Sequence, residues 1–166
     1  MDEIKVRQLE IEDLPALFRL IPALWIDQGN PPTNDIWIGE ATEFIKKRLG
    51  TTMTGFVAEH PEQPKELISI GLAVITDQIP TFWNTSGKVG YCQWFYTAPE
   101  FRRQKIGYRI TQKIVAWFQE NEVVRIQLHA TKNAVKFYEQ FGFEESTEWP
   151  NLVWRKPGTA WKPSKR

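Results

Sequence analysis

Three cations crowd one short stretch of this chain. In YTAPEFRRQKIGYRI, Tyr96 to Ile110, the residues Arg102, Arg103 and Lys105 fall within four positions just ahead of an apolar periodic run. A helix opening there adds partial positive charge of its own, so the cluster is repulsive unless an anion neutralises it. The free N–H groups of a first helical turn, flanked by guanidinium and ammonium groups, suit a diphosphate. Two common phosphate-binding patterns are absent. Gly50 and Gly55 have the outer spacing of a P-loop, but Phe56 and Val57 follow where a lysine and a hydroxyl are needed. The dinucleotide fingerprint Gly-x-Gly-x-x-Gly is missing too. A short basic loop left in solvent is the competing reading.

Other reactive side chains are few. Cys92 is the single cysteine, which excludes an internal disulfide and a cysteine-cluster zinc site, so no metal is expected. No histidine-and-acid pattern accompanies it, and a buried core thiol is the expectation. The 21 basic and 20 acidic side chains leave a net charge of +1, so no global field recruits nucleic acid or a membrane. The opening MDEIKVRQLE lacks the apolar core of a secretion signal. The longest apolar run, LISIGLAVI, falls far short of the ~20 residues of a membrane helix. A cytoplasmic protein is expected.

The elements that must position the cationic loop follow from periodicity. Ile4 to Arg7 alternates as a short strand, and Asp13 offers a cap to a helix carrying Leu14, Leu17, Phe18 and Ile21, with Pro22 as its kink or end. DQGNPPTND is a loop, and Ile36 to Leu49 reads as a second helix. TGFVAEH, ELISIGLAVIT and VGYCQWFYT form a strand meander. A helix opening near Gln104 follows, with Ile106, Ile110, Ile114, Trp117 and Phe118 on one stripe, and then a strand at Arg125 to Ala130. That order implies a crossover joining parallel strands. Thr131 caps a further helix bearing Ala134, Phe137, Tyr138 and Phe141, which Gly142 ends. FEESTEWPNLVWR is a last strand region. The expected fold is α/β (α+β), a mostly antiparallel mixed sheet with one parallel pair and flanking helices. One domain spans residues 1–156, with a basic, mobile tail at 157–166.

YTAPEFRRQKIG resembles the pyrophosphate-binding motif of the GNAT superfamily of N-acetyltransferases: Arg or Gln, two residues, Gly, one residue, then Gly or Ala. Arg102 matches the first position and Gly107 the last. LHATKNAVKFYEQFGF, Leu128 to Phe143, resembles the family's second signature, a helix carrying FYE and ending in GF. The two signatures lie one helix and one strand apart, as in the family. Lys105 stands at the motif's central glycine, and Thr131 where many members carry asparagine.

The resemblance implies acetyl-CoA as donor, an amine as acceptor and direct transfer. It implies a phosphate grip by the backbone of Arg103, Gln104, Lys105, Ile106, Gly107 and Tyr108, with the charges of Arg102 and Lys105. A splayed strand at Phe95, Tyr96 and Thr97 would pair with the pantetheine arm and supply an oxyanion donor, with Thr131 nearby. Tyr138 matches the family's tyrosine that protonates the leaving thiolate. His129, alternating with Gln127 and Arg125 at the end of the parallel strand, is a candidate base. Glu40 and Asp35 are weaker ones. Trp25, Trp37, Trp83 and Trp94, near Asp27 and Asp35, are candidate walls for a cationic small-molecule acceptor. The family also allows a homodimer. A non-catalytic acyl-CoA-binding sensor on the same fold is the alternative that Lys105 and Thr131 keep open.

Overall fold

The most apolar stretch of the chain becomes the centre of the sheet. A computed structural model describes residues 4–146. In it β3 (Leu67–Asp77) is buried along its first eight residues, because both faces are covered. Strands β1 (Val6–Gln8), β2 (Met53–Glu59), β3, β4 (Lys88–Thr97) and β5 (Ile126–Gln127) follow one another in the sheet in sequence order. All pairs are antiparallel except β4 with β5.

Side-chain alternation sends Ile70, Leu72 and Val74 to one face, where they pack with Leu17, Ile21 and Ile45 of α1 (Leu14–Asp27) and α2 (Ile36–Arg48). Ile68, Ala73 and Cys92 point to the other face and meet Ile110, Ile114 and Phe118 of α3 (Ile106–Glu120). That contact is close. A Cβ on Gly90 would lie 2.6 Å from the Phe118 ring, and one on Gly71 would lie 2.6 Å from Ile110. The glycines let the helix seat directly on the strands.

Several local expectations need correction. The first helix runs through Pro22 to Asp27. Burial of Leu17, Phe18 and Ile21 outweighs the one backbone bond that a proline removes. Asp13 makes no capping bond to that helix. Its carboxylate accepts the Glu10 N–H at 2.8 Å and pairs with both terminal nitrogens of Arg7 at 2.7 Å. The strand expected over Arg125–Ala130 shrinks to Ile126–Gln127. After Thr131 the chain forms a short 3-10 turn and a five-residue α4 (Val135–Glu139), with no side-chain cap from Thr131. Residues 143–146 are irregular. The rest of the expected last strand, the domain limit at residue 156 and the tail lie outside the described residues. No helix among the described residues is long and apolar enough to cross a membrane.

Candidate active site

The cationic loop folds into a concave run of main-chain donors. After β4 the chain makes a 3-10 turn at Pro99–Phe101, then enters α3 through two left-handed residues, Arg103 (φ 63°) and Lys105 (φ 58°). This is why the helix begins at Ile106 and not at Gln104. A non-glycine residue in this conformation costs about 1–2 kcal/mol, so the shape is imposed by its surroundings. It also accounts for the motif's glycine at position 105: the backbone there is left-handed, and lysine occupies it under strain. The N–H groups of Arg103 to Tyr108 have no backbone acceptor among the described residues, as a turn able to receive an anion requires. Arg103 and Lys105 are exposed and make no ion pair among the described residues.

Gly107 tests whether a ligand fits. Its φ is not in the left-handed region, and a Cβ there would sit 3.7 Å from Thr97 Oγ1 and 3.8 Å from Phe137 Cζ. Those are ordinary contacts, so neither backbone strain nor crowding demands glycine. The missing side chain leaves room beside the amides, as a closely approaching diphosphate requires.

Arg102, expected on the phosphates, contacts three protein groups. Its Nη2 donates to Asp27 Oδ2 at 2.7 Å, its Nε donates to the Thr97 carbonyl at 2.9 Å, and the guanidinium lies 5.6 Å from the centre of the Tyr96 ring. The side chain thus ties the end of α1 to the end of β4.

Beyond the loop, two parallel strands part. Register pairs Gly90 with Ile126 and Tyr91 with Gln127, and no further. On its other edge β4 bulges: Leu72 faces Gln93 and Ile70 faces Tyr96, so Trp94 (φ 53°) and Phe95 together oppose Gly71. The bulge bends β4 away from β5. Ala98 donates its N–H to Ile68 at 2.8 Å. Alternation therefore turns the main chain of Tyr96 toward β3 and that of Phe95 and Thr97 into the fork.

The fork opens into a cleft of about 1500 Å³ lined by β4, the loop, the start of α3, α4 and the end of α1. On its α3 side stands Tyr138, 9% exposed and edge-on to Phe95, with ring centres 5.9 Å apart. Its hydroxyl takes no hydrogen bond from any described residue, and burial raises its pKa above the ordinary tyrosine value. The phenol therefore keeps its proton at neutral pH. Cys92, on the same side, is buried and its thiol is pushed up to about 12 by burial, which leaves no thiolate at neutral pH.

The opposite side is aromatic. Trp25 and Trp94 line the cleft, and Trp37 stands behind them, 4.7 Å from Trp25 and 6.1 Å from Trp94 between ring centres. The Nε1 of Trp37 is buried without a partner among the described residues. Trp83 is elsewhere: it packs edge-on against Phe82 in the exposed β3–β4 loop and does not line the cleft. Thr131 and His129 stand on the β5 side, where His129 Nδ1 is hydrogen-bonded to the Tyr91 hydroxyl. Sequence reasoning missed Tyr91, because nothing local marks a tyrosine whose partner lies 38 residues away. Asp27 was noted only as a nearby carboxylate, and its pairing with Arg102 had no signal.

Residues 51–145 match the family model described as acetyltransferase (GNAT) domain. A predicted acetyltransferase from Clostridium acetobutylicum, solved with acetyl-CoA, is 26% identical with a TM-score of 0.78, over 90% of this chain and 96% of that one. Glucosamine-6-phosphate N-acetyltransferase from Arabidopsis thaliana shares the fold at 20% identity and TM-score 0.71, over 93% of this chain and 100% of that one. An acetyltransferase from Trypanosoma brucei does so at 17% and 0.69, over 91% and 99%. No curated protein sequence matches the chain.

Proposed function

Because the chain belongs to the GNAT acetyltransferase family, we propose that it moves an acetyl group from acetyl-CoA directly to the primary amine of a small acceptor. The observation that carries this reading is the fork between β4 and β5, which runs from an anion cradle at Arg103–Tyr108 to the buried hydroxyl of Tyr138. Bound acetyl-CoA would supply a thioester whose carbonyl carbon accepts the amine and whose sulfur leaves.

The protein's part is to bind, orient and move protons. The main-chain N–H groups of Arg103, Gln104, Lys105, Ile106, Gly107 and Tyr108 hold the diphosphate, and the charges of Arg103 and Lys105 add to the grip. The main chain of Phe95 and Thr97 pairs with the amides of the pantetheine arm, with Thr131 at its lip, and the Phe95 N–H serves as the oxyanion donor. Tyr138 gives its hydroxyl proton toward the sulfur. A phenol raised by burial is a poor acid at rest, so its donation depends on the negative charge that develops beside it. Arg102 holds the cradle against α1 through Asp27.

Trp25 and Trp94, backed by Trp37, receive the acceptor on the other side of the fork. Aromatic faces favour a cationic or ring-bearing amine. That glucosamine-6-phosphate N-acetyltransferase shares the fold supports a small amine as the acceptor class. Calorimetry with acetyl-CoA, followed by a CoA-release assay over a panel of small amines, tests the proposal. Binding with amine-dependent release is expected, and binding without release to any amine would contradict it.

A further inference from the structure

A primary alkylamine, with an ordinary pKa of ~10.4, is neutral in only about one molecule in 2,500 at pH 7. Something must take its proton before it attacks. Among the described residues Asp27 is the only carboxylate on the cleft wall, and it is engaged by Arg102. Cys92 and Tyr138 belong to the α3 side of the fork, away from the tryptophans. Tyr96 lies beneath the Arg102 guanidinium.

Lys105 and Tyr108 stand at the start of α3, with the Tyr108 ring against Phe141. The remaining titratable groups among the described lining residues on the tryptophan side are Tyr91 and His129. Tyr91 pairs with Val74, whose side chain belongs to the core under α1 and α2, so the tyrosine projects on the tryptophan side. Its β5 partner is Gln127, and His129 lies two residues beyond the end of that strand; Ile126 and Leu128 turn to the α3-side core, which leaves Gln127 and His129 on the tryptophan side. Two residues of extended chain advance by about 6.6 Å. A Tyr91 hydroxyl bonded to His129 Nδ1 must therefore lean forward, toward the mouth where the strands part. Tyr91 is half-buried and His129 is exposed, so the pair leads from the cleft to solvent.

On the premise of amine acetylation, we propose that Tyr91 and His129 form a proton relay that deprotonates the acceptor amine. As the ammonium N–H breaks, its electron pair stays on nitrogen and its proton passes to Tyr91 Oη. The proton already on Tyr91 passes to His129 Nδ1. Tyr91 ends neutral, His129 ends as imidazolium, and the imidazolium returns one proton to water. Burial raises the Tyr91 phenol above its ordinary value, which fits an O–H that donates to Nδ1 at rest. Tyr91 touches the amine, whereas His129 acts through Tyr91. The base and Tyr138 then occupy opposite sides of the fork.

The hydrogen bond and the chemistry are tested separately. The chain has two histidines, so ¹⁵N-histidine labelling reports on two imidazoles. His129 Nδ1 should show the shift of an unprotonated acceptor, and Tyr91→Phe should move it while leaving His60 in place. A protonated Nδ1, or no response to Tyr91→Phe, overturns the relay. For the kinetics, benzylamine arrives protonated and aniline arrives neutral. With benzylamine, Tyr91→Phe and His129→Gln should each lose about 10²-fold in kcat/KM, and the double variant no more than either alone. With aniline each loss should stay within about threefold, since no proton need be removed beforehand. Equal losses on both acceptors, or losses that multiply in the double variant, overturn the relay and leave acetyl transfer standing. A wild type that binds acetyl-CoA but acetylates neither these nor any other amine overturns the transfer reading itself.

Discussion

Replacing Lys105 with glycine separates two things the residue does. Its φ of 58° imposes a cost of about 1–2 kcal/mol that glycine does not carry. Glycine gives back roughly 0.5–1 kcal/mol through the freedom it loses on folding. The net gain is about 0.5–1 kcal/mol, which for a domain of this size raises Tm by about 1–4 °C. The same change removes an ammonium from the cradle. A unit charge about 6 Å from a doubly charged diphosphate contributes about 1.4 kcal/mol in water, and 0.15 M salt roughly halves that. Acetyl-CoA should therefore bind Lys105→Gly about tenfold more weakly at low salt and about threefold more weakly at physiological salt. Lys105→Met should show the affinity loss without the Tm gain, since it keeps the Cβ. Thermal unfolding and calorimetry at two salt concentrations read both quantities. A Lys105→Gly protein no more stable than wild type refutes the strain, and a salt-independent affinity loss refutes the charge.

Tyr138→Phe keeps the ring against Phe95 and removes only the hydroxyl, so turnover should fall about 10²-fold or more while acetyl-CoA affinity stays within about twofold; unchanged turnover would make the residue structural. Arg102→Ala should weaken CoA and pantetheine by similar factors, because the guanidinium holds the Thr97 carbonyl and Asp27 rather than phosphate; a loss confined to CoA in calorimetry would return Arg102 to the diphosphate. Burial opposes ionisation of Asp13, but hydrogen bonds from Arg7 and the Glu10 N–H outweigh it and hold its pKa below the ordinary value. A depressed folded-state value contributes stability above the unfolded value of ~3.9 and loses it as pH falls through the folded one. The urea midpoint of wild type should thus exceed that of Asp13→Asn at pH 7, with the difference closing below about pH 4; a gap that persists at pH 2 would contradict the pairing.

How far the sequence could be read depended on how local each cause is. The strands around β3 and the stripe of α3 announce themselves, because burial on one or two faces writes a period into nearby residues. The cationic loop was legible for the same reason: its charges and its helix start are neighbours in the chain. Pro22 misled, since the packing of Ile21 and Phe18 overrides a local rule. β5 came out short because its partner bulges at Trp94, a departure set by the geometry of another strand. Trp83 and Trp94 look alike in a sequence, yet one lies on an exposed loop and the other lines the cleft. The Asp27–Arg102 and Tyr91–His129 pairs, 75 and 38 residues apart, leave no trace in periodicity or motif.

Amide-resolved NMR during titration with coenzyme A reads the cradle residue by residue. The largest shifts should fall on the N–H groups of Arg103 to Tyr108, with Phe95 and Thr97 following, and pantetheine should move only the latter two. Saturable binding that leaves the Arg103–Tyr108 amides in place, or no binding at low ionic strength, would contradict the diphosphate grip.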